Sequence, residues 1–208
     1  MWTAKMRTAT TWWTAKPLTE KLLDVGVGLF WALHASLYLA TLVQTKNWTD
    51  AGLVVFYTLV AYFFIRREPP RRTAPWWQTA VAVAAVFWPM VGLHAASRGF
   101  WLGDVLQGVA LVLMIGAALS LGSSFGIAPA DRGLRTQGLY RIVRHPLYAS
   151  ELLFYVGYAL SNWAWQNVLG VGVALFLAVL RIRWEERIIE GYDQYAQHVR
   201  WRLVPFVW

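Results

Sequence analysis

The chain has 208 residues, 58% of them apolar and only 14% charged, against the ~25% charged residues usual in soluble domains. That composition excludes a water-soluble fold of this size and makes a bilayer the natural solvent. The lack of cysteine excludes disulfides, thiolate zinc sites, iron–sulfur clusters and a cysteine nucleophile, and the placement of the +8 net charge fits membrane topology better than a nucleic-acid surface.

Residues 1–21 are basic and tryptophan-rich, with no small-residue cleavage site after a short apolar core, so a retained cytoplasmic or interfacial arm is expected there. Six apolar runs follow, at 25–43, 51–65, 76–96, 100–121, 147–160 and 164–180. A bilayer core takes about 20 apolar residues per helix, so the second and fifth runs are short and five to six membrane helices are expected. Backbone groups in lipid must be satisfied within their own segment, which makes these runs helices. The expected fold is all-α, a multi-pass transmembrane helix bundle in one domain.

Orientation follows from Lys and Arg. With six crossings and a cytoplasmic N-terminus, all but Lys46 and Arg98 of the 19 basic residues fall on the cytoplasmic side. Both termini are therefore expected inside. Trp48, Trp76, Trp77, Trp101, Trp163, Trp165 and Trp184 sit at run ends, as an aromatic belt would. Within the runs, His34, Asp104 and Gln107 are costly in lipid and are expected to face the bundle, His34 as a packing hydrogen-bonder, with interfacial water the alternative for Asp104 near its run's start.

Two polar segments on the cytoplasmic side, 122–146 and 181–208, must carry any chemistry. Neither holds a strand followed by a glycine-rich turn and helix, which argues against a Rossmann nucleotide site, and no metal site is expected. In the first segment, Pro146 suits the opening turn of a helix, with His145 at its N-cap and Tyr148 one turn on. The free N–H groups there, with Arg144, favour an anionic group. The competing reading is a basic loop that simply starts a helix. In the second segment, i to i+4 spacing places Arg181 with Glu185 on one face and Glu186 with Glu190 on another. These charges form either a solvated helix laced with salt bridges or a site for a cationic ligand. Tyr192, Tyr195 and His198, ending at Leu203-Val204-Pro205, read as an amphipathic helix closing over that site.

Gly138-Leu139-Tyr140, Arg144-His145-Pro146-Leu147-Tyr148, a helical hairpin, then Arg181 and Glu185-Glu186 resemble the isoprenylcysteine carboxyl methyltransferase family and its phospholipid methyltransferase relatives. Ser124-Phe125-Gly126-Ile127, Tyr195 and Pro205 fit the same pattern, and the resemblance spans roughly 121–205. It implies methyl transfer from S-adenosylmethionine to a lipophilic acceptor entering from the bilayer: an isoprenoid or prenylcysteine-type carboxylate, a phospholipid amine, or a small thiol. Residues 1–121 would then be N-terminal membrane helices and 122–208 the cofactor-binding half. Carried over, His145 and Tyr148 contact the methionine portion of the cofactor, with Arg144 beside them. Backbone at Gly138, Leu139 and Tyr140 lines the pocket, and Glu185 and Glu186 hold amino or ribose groups. Arg181 orients the acceptor, and Arg181 and Glu185 are the expected catalytic pair. The stretch between the acids and Tyr195 is shorter than in the family, and His198 stands where a second tyrosine is common. Two other classes stay open: a non-catalytic membrane assembly or sensor protein, and a nicotinamide-dependent membrane reductase of related C-terminal architecture, for which this chain is short.

Overall fold

The computed structural model describes residues 16–96 and 99–208; most of the expected N-terminal arm, with Lys5 and Arg7, and Arg98 lie outside the described residues. Among the described residues six long helices form the bundle: α1 (Leu18–Thr45), α2 (Trp48–Ile65), α3 (Trp76–Gly92), α4 (Trp101–Leu121), α5 (Pro146–Ser161) and α6 (Trp165–Ile188). A short α7 (Tyr192–His198) follows. Two-residue strands β1 (Arg72–Thr73) and β2 (Ala130–Asp131) pair antiparallel, Arg72 opposite Asp131.

Helices α1, α2, α4 and α6 are long and apolar enough to cross a membrane. At 17 and 16 residues, α3 and α5 are slightly shorter, about 24–26 Å at 1.5 Å per residue. The chain is thus an integral membrane protein with an all-α multi-pass bundle. Leucines such as Leu22, Leu29, Leu33 and Leu37 on α1 are exposed as a lipid-facing surface requires, while Trp76, Trp101 and Trp165 stand exposed at helix starts.

Sequence sets the helix ends locally. Lys46 in the left-handed region (φ 55°) ends α1, and Asn47 accepts a bond from the Thr49 N–H to cap α2. The third apolar run extends to residue 96, but α3 stops at Gly92. The extended residues beyond it bond to side chains instead: His94 exchanges bonds with Asn167 (2.8 and 2.9 Å), and the Ala96 N–H donates to Asn162 (3.1 Å). At this same end Gln107 donates to Ser161, which donates to Asp104. Gln107 is buried and faces the bundle as expected, whereas Asp104 is exposed at the helix start. His34 sits against Phe30, Trp31 and Tyr57, with Nδ1 at 3.3 Å from the Phe30 carbonyl. Close helix crossings need glycine: a Cβ on Gly103 of α4 would lie 2.4 Å from the Gly157 carbonyl of α5.

At the opposite end the basic links come together. Glu68 N–H donates to the Ser123 carbonyl, Arg71 N–H to Asp131, and the Arg135 guanidinium pairs with Glu68 (3.1 Å). Asp24, fully buried near the start of α1, pairs with Lys16 and Arg67. The start of α1, the ends of α2 and α4, and the start of α5 therefore share one polar end. An aromatic core of Trp31, Phe56, Phe64 and Phe125, with Leu53 and Met114, joins α1, α2 and α4 beneath it.

Candidate functional site

Helix α6 runs eight residues past its apolar stretch, so Arg181, Glu185 and Glu186 ride on one rigid element that projects from the apolar run into the polar end. Glu190 lies beyond the helix end, so the expected Glu186–Glu190 face does not form; the Glu190 N–H instead points at Asp131 (3.4 Å). Opposite α6, Pro146 opens α5 with His145 at the capping position. Residues beyond α7 fold back over this turn: the Arg144 and His145 N–H groups donate to the carbonyls of Trp201 and Arg202 (2.8 and 2.9 Å). Gly191, at φ 77°, makes the bend that turns α7 inward, burying Tyr192 and Tyr195. The Tyr195 hydroxyl then donates to the Tyr140 carbonyl at 2.6 Å. The closing helix read from the sequence is present only over Tyr192–His198; the residues on to Pro205, expected to continue it, leave the helix at Val199 and fold back as non-helical chain.

The twin acids part ways. Glu186 is the hub of the closure. It takes two-pronged bonds from Arg202 (2.9–3.1 Å), with Arg144, His145 and the Tyr192 hydroxyl at 3.2–3.3 Å. The Tyr192 hydroxyl is also 2.8 Å from His145 Nε2. Glu185 instead accepts one bond from the Tyr148 hydroxyl (2.5 Å), with His145 Nδ1 3.9 Å away. It faces a cavity with about 1580 Å³ of empty space, counting its open mouth.

That cavity has two ends. The polar end is lined by Ser124, Arg132, Tyr140, Arg144, His145, Glu185, Tyr192 and Tyr195. The other runs into the bundle between Trp31, Phe56, Tyr57, Val86, Met114, Phe154 and Ala174. Tyr148 and Arg181 stand between them: the Arg181 guanidinium lies 4.7 Å over the Tyr148 ring and donates to the Ile127 carbonyl (3.1 Å). Among the described residues Arg181 Nε is buried without a hydrogen-bond partner, as are Nε of Arg132 and Arg144. Arg132 forms no ion pair among the described residues, and Gly126 leaves room for it, since a Cβ there would lie 2.7 Å from its Nη1. Burial pushes the Arg132 guanidinium down to about 10, with Arg67 repelling it further. The Tyr192 phenol is pushed up, first by burial and then by Glu186.

Of the residues singled out from sequence, Tyr140, Arg144, His145, Tyr148, Arg181 and Glu185 all line this one cavity. Glu186 is turned away into its ion pairs. Gly138 and Leu139 brace the loop on α4: Gly138 has φ 60° and a Cβ there would meet Ser120 Oγ at 2.2 Å, while Leu139 reaches Gly116. Sequence reading missed Arg132, Asp24 and Glu151. Glu151 lines the cavity three residues after Tyr148, and the signal that could have found it is an ionisable residue inside an apolar run.

The sequence model of the phospholipid methyltransferase family matches residues 99–195, which run from the start of α4 into α7. A comparison with curated proteins yields no match. The matched stretch, a little under half of the chain, includes the turn at His145 and the acids of α6, and there the chain is similar to the phospholipid methyltransferase family.

Proposed function

We propose that the protein transfers a methyl group from S-adenosylmethionine to a lipophilic acceptor, with the cofactor in the polar end of the cavity and the acceptor in the apolar end. The observation that carries this reading is the cavity itself, one continuous space whose charged mouth leads into a helix-lined apolar interior. The donor set suits a ligand that is cationic at sulfur and amine and anionic at its carboxylate. Glu185 offers carboxylate oxygen to the cations, while Arg132 and Arg144 have buried nitrogens without partners for the anion. Tyr140, Tyr192 and Tyr195 supply flat surface around them.

In this reading the chain's own residues bind and align. Bound cofactor supplies an activated methyl with sulfur as leaving group. Holding acceptor and methyl in line converts an encounter in two phases into a reaction within one site, which is where most of the rate comes from. His145 and Tyr148 flank the cofactor, Arg181 marks the junction with the acceptor, and Glu186 holds the closing segment in place. The basic links at this end of the bundle support, by the positive-inside rule, a mouth that opens on the cytoplasmic side. Residues 122–208 supply most of the cofactor end, and α1 to α3 line the acceptor end.

The test is ligand stabilisation in detergent. S-adenosylhomocysteine is expected to raise the melting temperature and a nicotinamide cofactor to leave it unchanged. Stabilisation by the nicotinamide cofactor, or by neither, overturns the proposal.

A further inference from the structure

The bond between Tyr148 on α5 and Glu185 on α6 sets the level at which these antiparallel helices face each other. One helical turn deeper, Glu151 comes level with Arg181; a turn below that, Tyr155 comes level with Ala178. All of them line the cavity. Glu151 therefore stands where the charged mouth gives way to the apolar interior. Among the described residues its carboxylate has no hydrogen bond, and no cation lies within ion-pair distance. The titratable groups acting on it are Arg181 and Glu185 on α6, Tyr57 on α2, Tyr140 in the loop, and Tyr148 and Tyr155 on its own helix. An unpaired carboxylate inside a membrane bundle is costly, and such residues mark sites of function.

We propose that Glu151 accepts the proton lost by the methyl acceptor, so that the acceptor is a protic lipophile (an amine, thiol or hydroxyl) and not a carboxylate. This rests on the methyl-transfer reading above. A carboxylate acceptor is already ionised at neutral pH and needs no base, and Glu151 would repel it across a water-poor cavity. A long-chain amine or thiol is mostly protonated at neutral pH, and its nucleophilic form requires a proton acceptor that the apolar walls otherwise deny it. The acceptor X–H proton passes to the Glu151 carboxylate, and the X lone pair forms the new bond to methyl. The electron pair of the broken carbon–sulfur bond stays on sulfur. The protonated Glu151 returns its proton to water when products leave. Arg181, on the same level, holds the acceptor's polar neighbourhood without competing for the proton.

The experiment uses the full chain in detergent and three probes with one dodecyl tail: dodecylamine, dodecanethiol and dodecanoate. With S-adenosylhomocysteine bound, the wild type is expected to be stabilised more by the amine and thiol than by dodecanoate. Glu151→Gln is expected to reverse the order of amine and dodecanoate, bind S-adenosylhomocysteine as tightly as the wild type, and melt no lower. With labelled cofactor, its rate on amine or thiol falls about 100-fold or more at neutral pH, the usual weight of a general base. That rate then climbs about tenfold per pH unit as the free acceptor deprotonates. The proposal is overturned if dodecanoate is the wild type's best ligand, if Glu151→Gln keeps the wild-type acceptor profile, or if it loses cofactor-product binding. A wild type that does not bind S-adenosylhomocysteine overturns the methyl-transfer reading itself, and this proposal with it.

Discussion

Glu186→Ala is expected to unfasten the C-terminal segment. Glu186 takes two-pronged bonds from Arg202 and lies 3.2–3.3 Å from Arg144, His145 and Tyr192, on a side chain only 13% exposed. Removing it leaves Arg144, already almost buried, and Arg202 without a carboxylate. The closure then rests on the main-chain bonds from Arg144 and His145 to Trp201 and Arg202, with the Tyr195–Tyr140 and Tyr192–His145 contacts beside them. Losing charge-assisted bonds of this kind costs about 2–3 kcal/mol. The outcome is read as a lower melting temperature, together with faster proteolysis at Arg200 and Arg202. Glu186→Gln keeps an acceptor for Arg202 and is expected to lose less. A Glu186→Ala protein as stable and as protease-resistant as wild type would show that the closure does not depend on this hub.

Glu185→Gln is expected to behave in the opposite way. Among the described residues Glu185 carries one bond from Tyr148 and no Arg or Lys partner, and an amide oxygen can still accept that bond. The unliganded variant therefore melts with the wild type. What is lost is negative charge at the polar end of the cavity. Replacing a charge-assisted bond by a neutral one there weakens cofactor binding by about 10- to 100-fold, measured by calorimetry. The two variants separate neighbouring residues of one motif into a ligand-facing acid and a structural one. Equal stability losses in both, with equal affinity losses, would contradict that division.

The architecture was legible because it follows from composition: apolar runs must be helices in lipid, and short basic links hold their ends together. Only boundaries moved, as where α6 carried its helix through the charged Arg181–Glu186 stretch and α3 stopped early because Asn162 and Asn167 took over its backbone partners. The candidate site was legible as a motif, and six of the residues named from it line one cavity. What local sequence does not carry is long-range pairing. Nothing in the spacing of Glu185 and Glu186 tells that Arg202, sixteen residues on, claims the second and leaves the first open. Asp24 likewise finds Arg67 across 43 residues. Glu151 escaped for a different reason: one acid in a strongly apolar run barely changes the hydropathy, and its meaning depends on the cavity it lines.

If cofactor and acceptor occupy opposite ends of one cavity, blocking the deep end alone separates their binding. Ala174 on α6 lines that end, about two turns from Arg181. Titration of S-adenosylhomocysteine into wild type and Ala174→Phe is expected to give affinities within about twofold, as for sites that do not couple, while transfer of label to lipid acceptors disappears in the variant. Loss of cofactor-product binding in Ala174→Phe, or undiminished lipid methylation by it, would contradict the two-ended cavity.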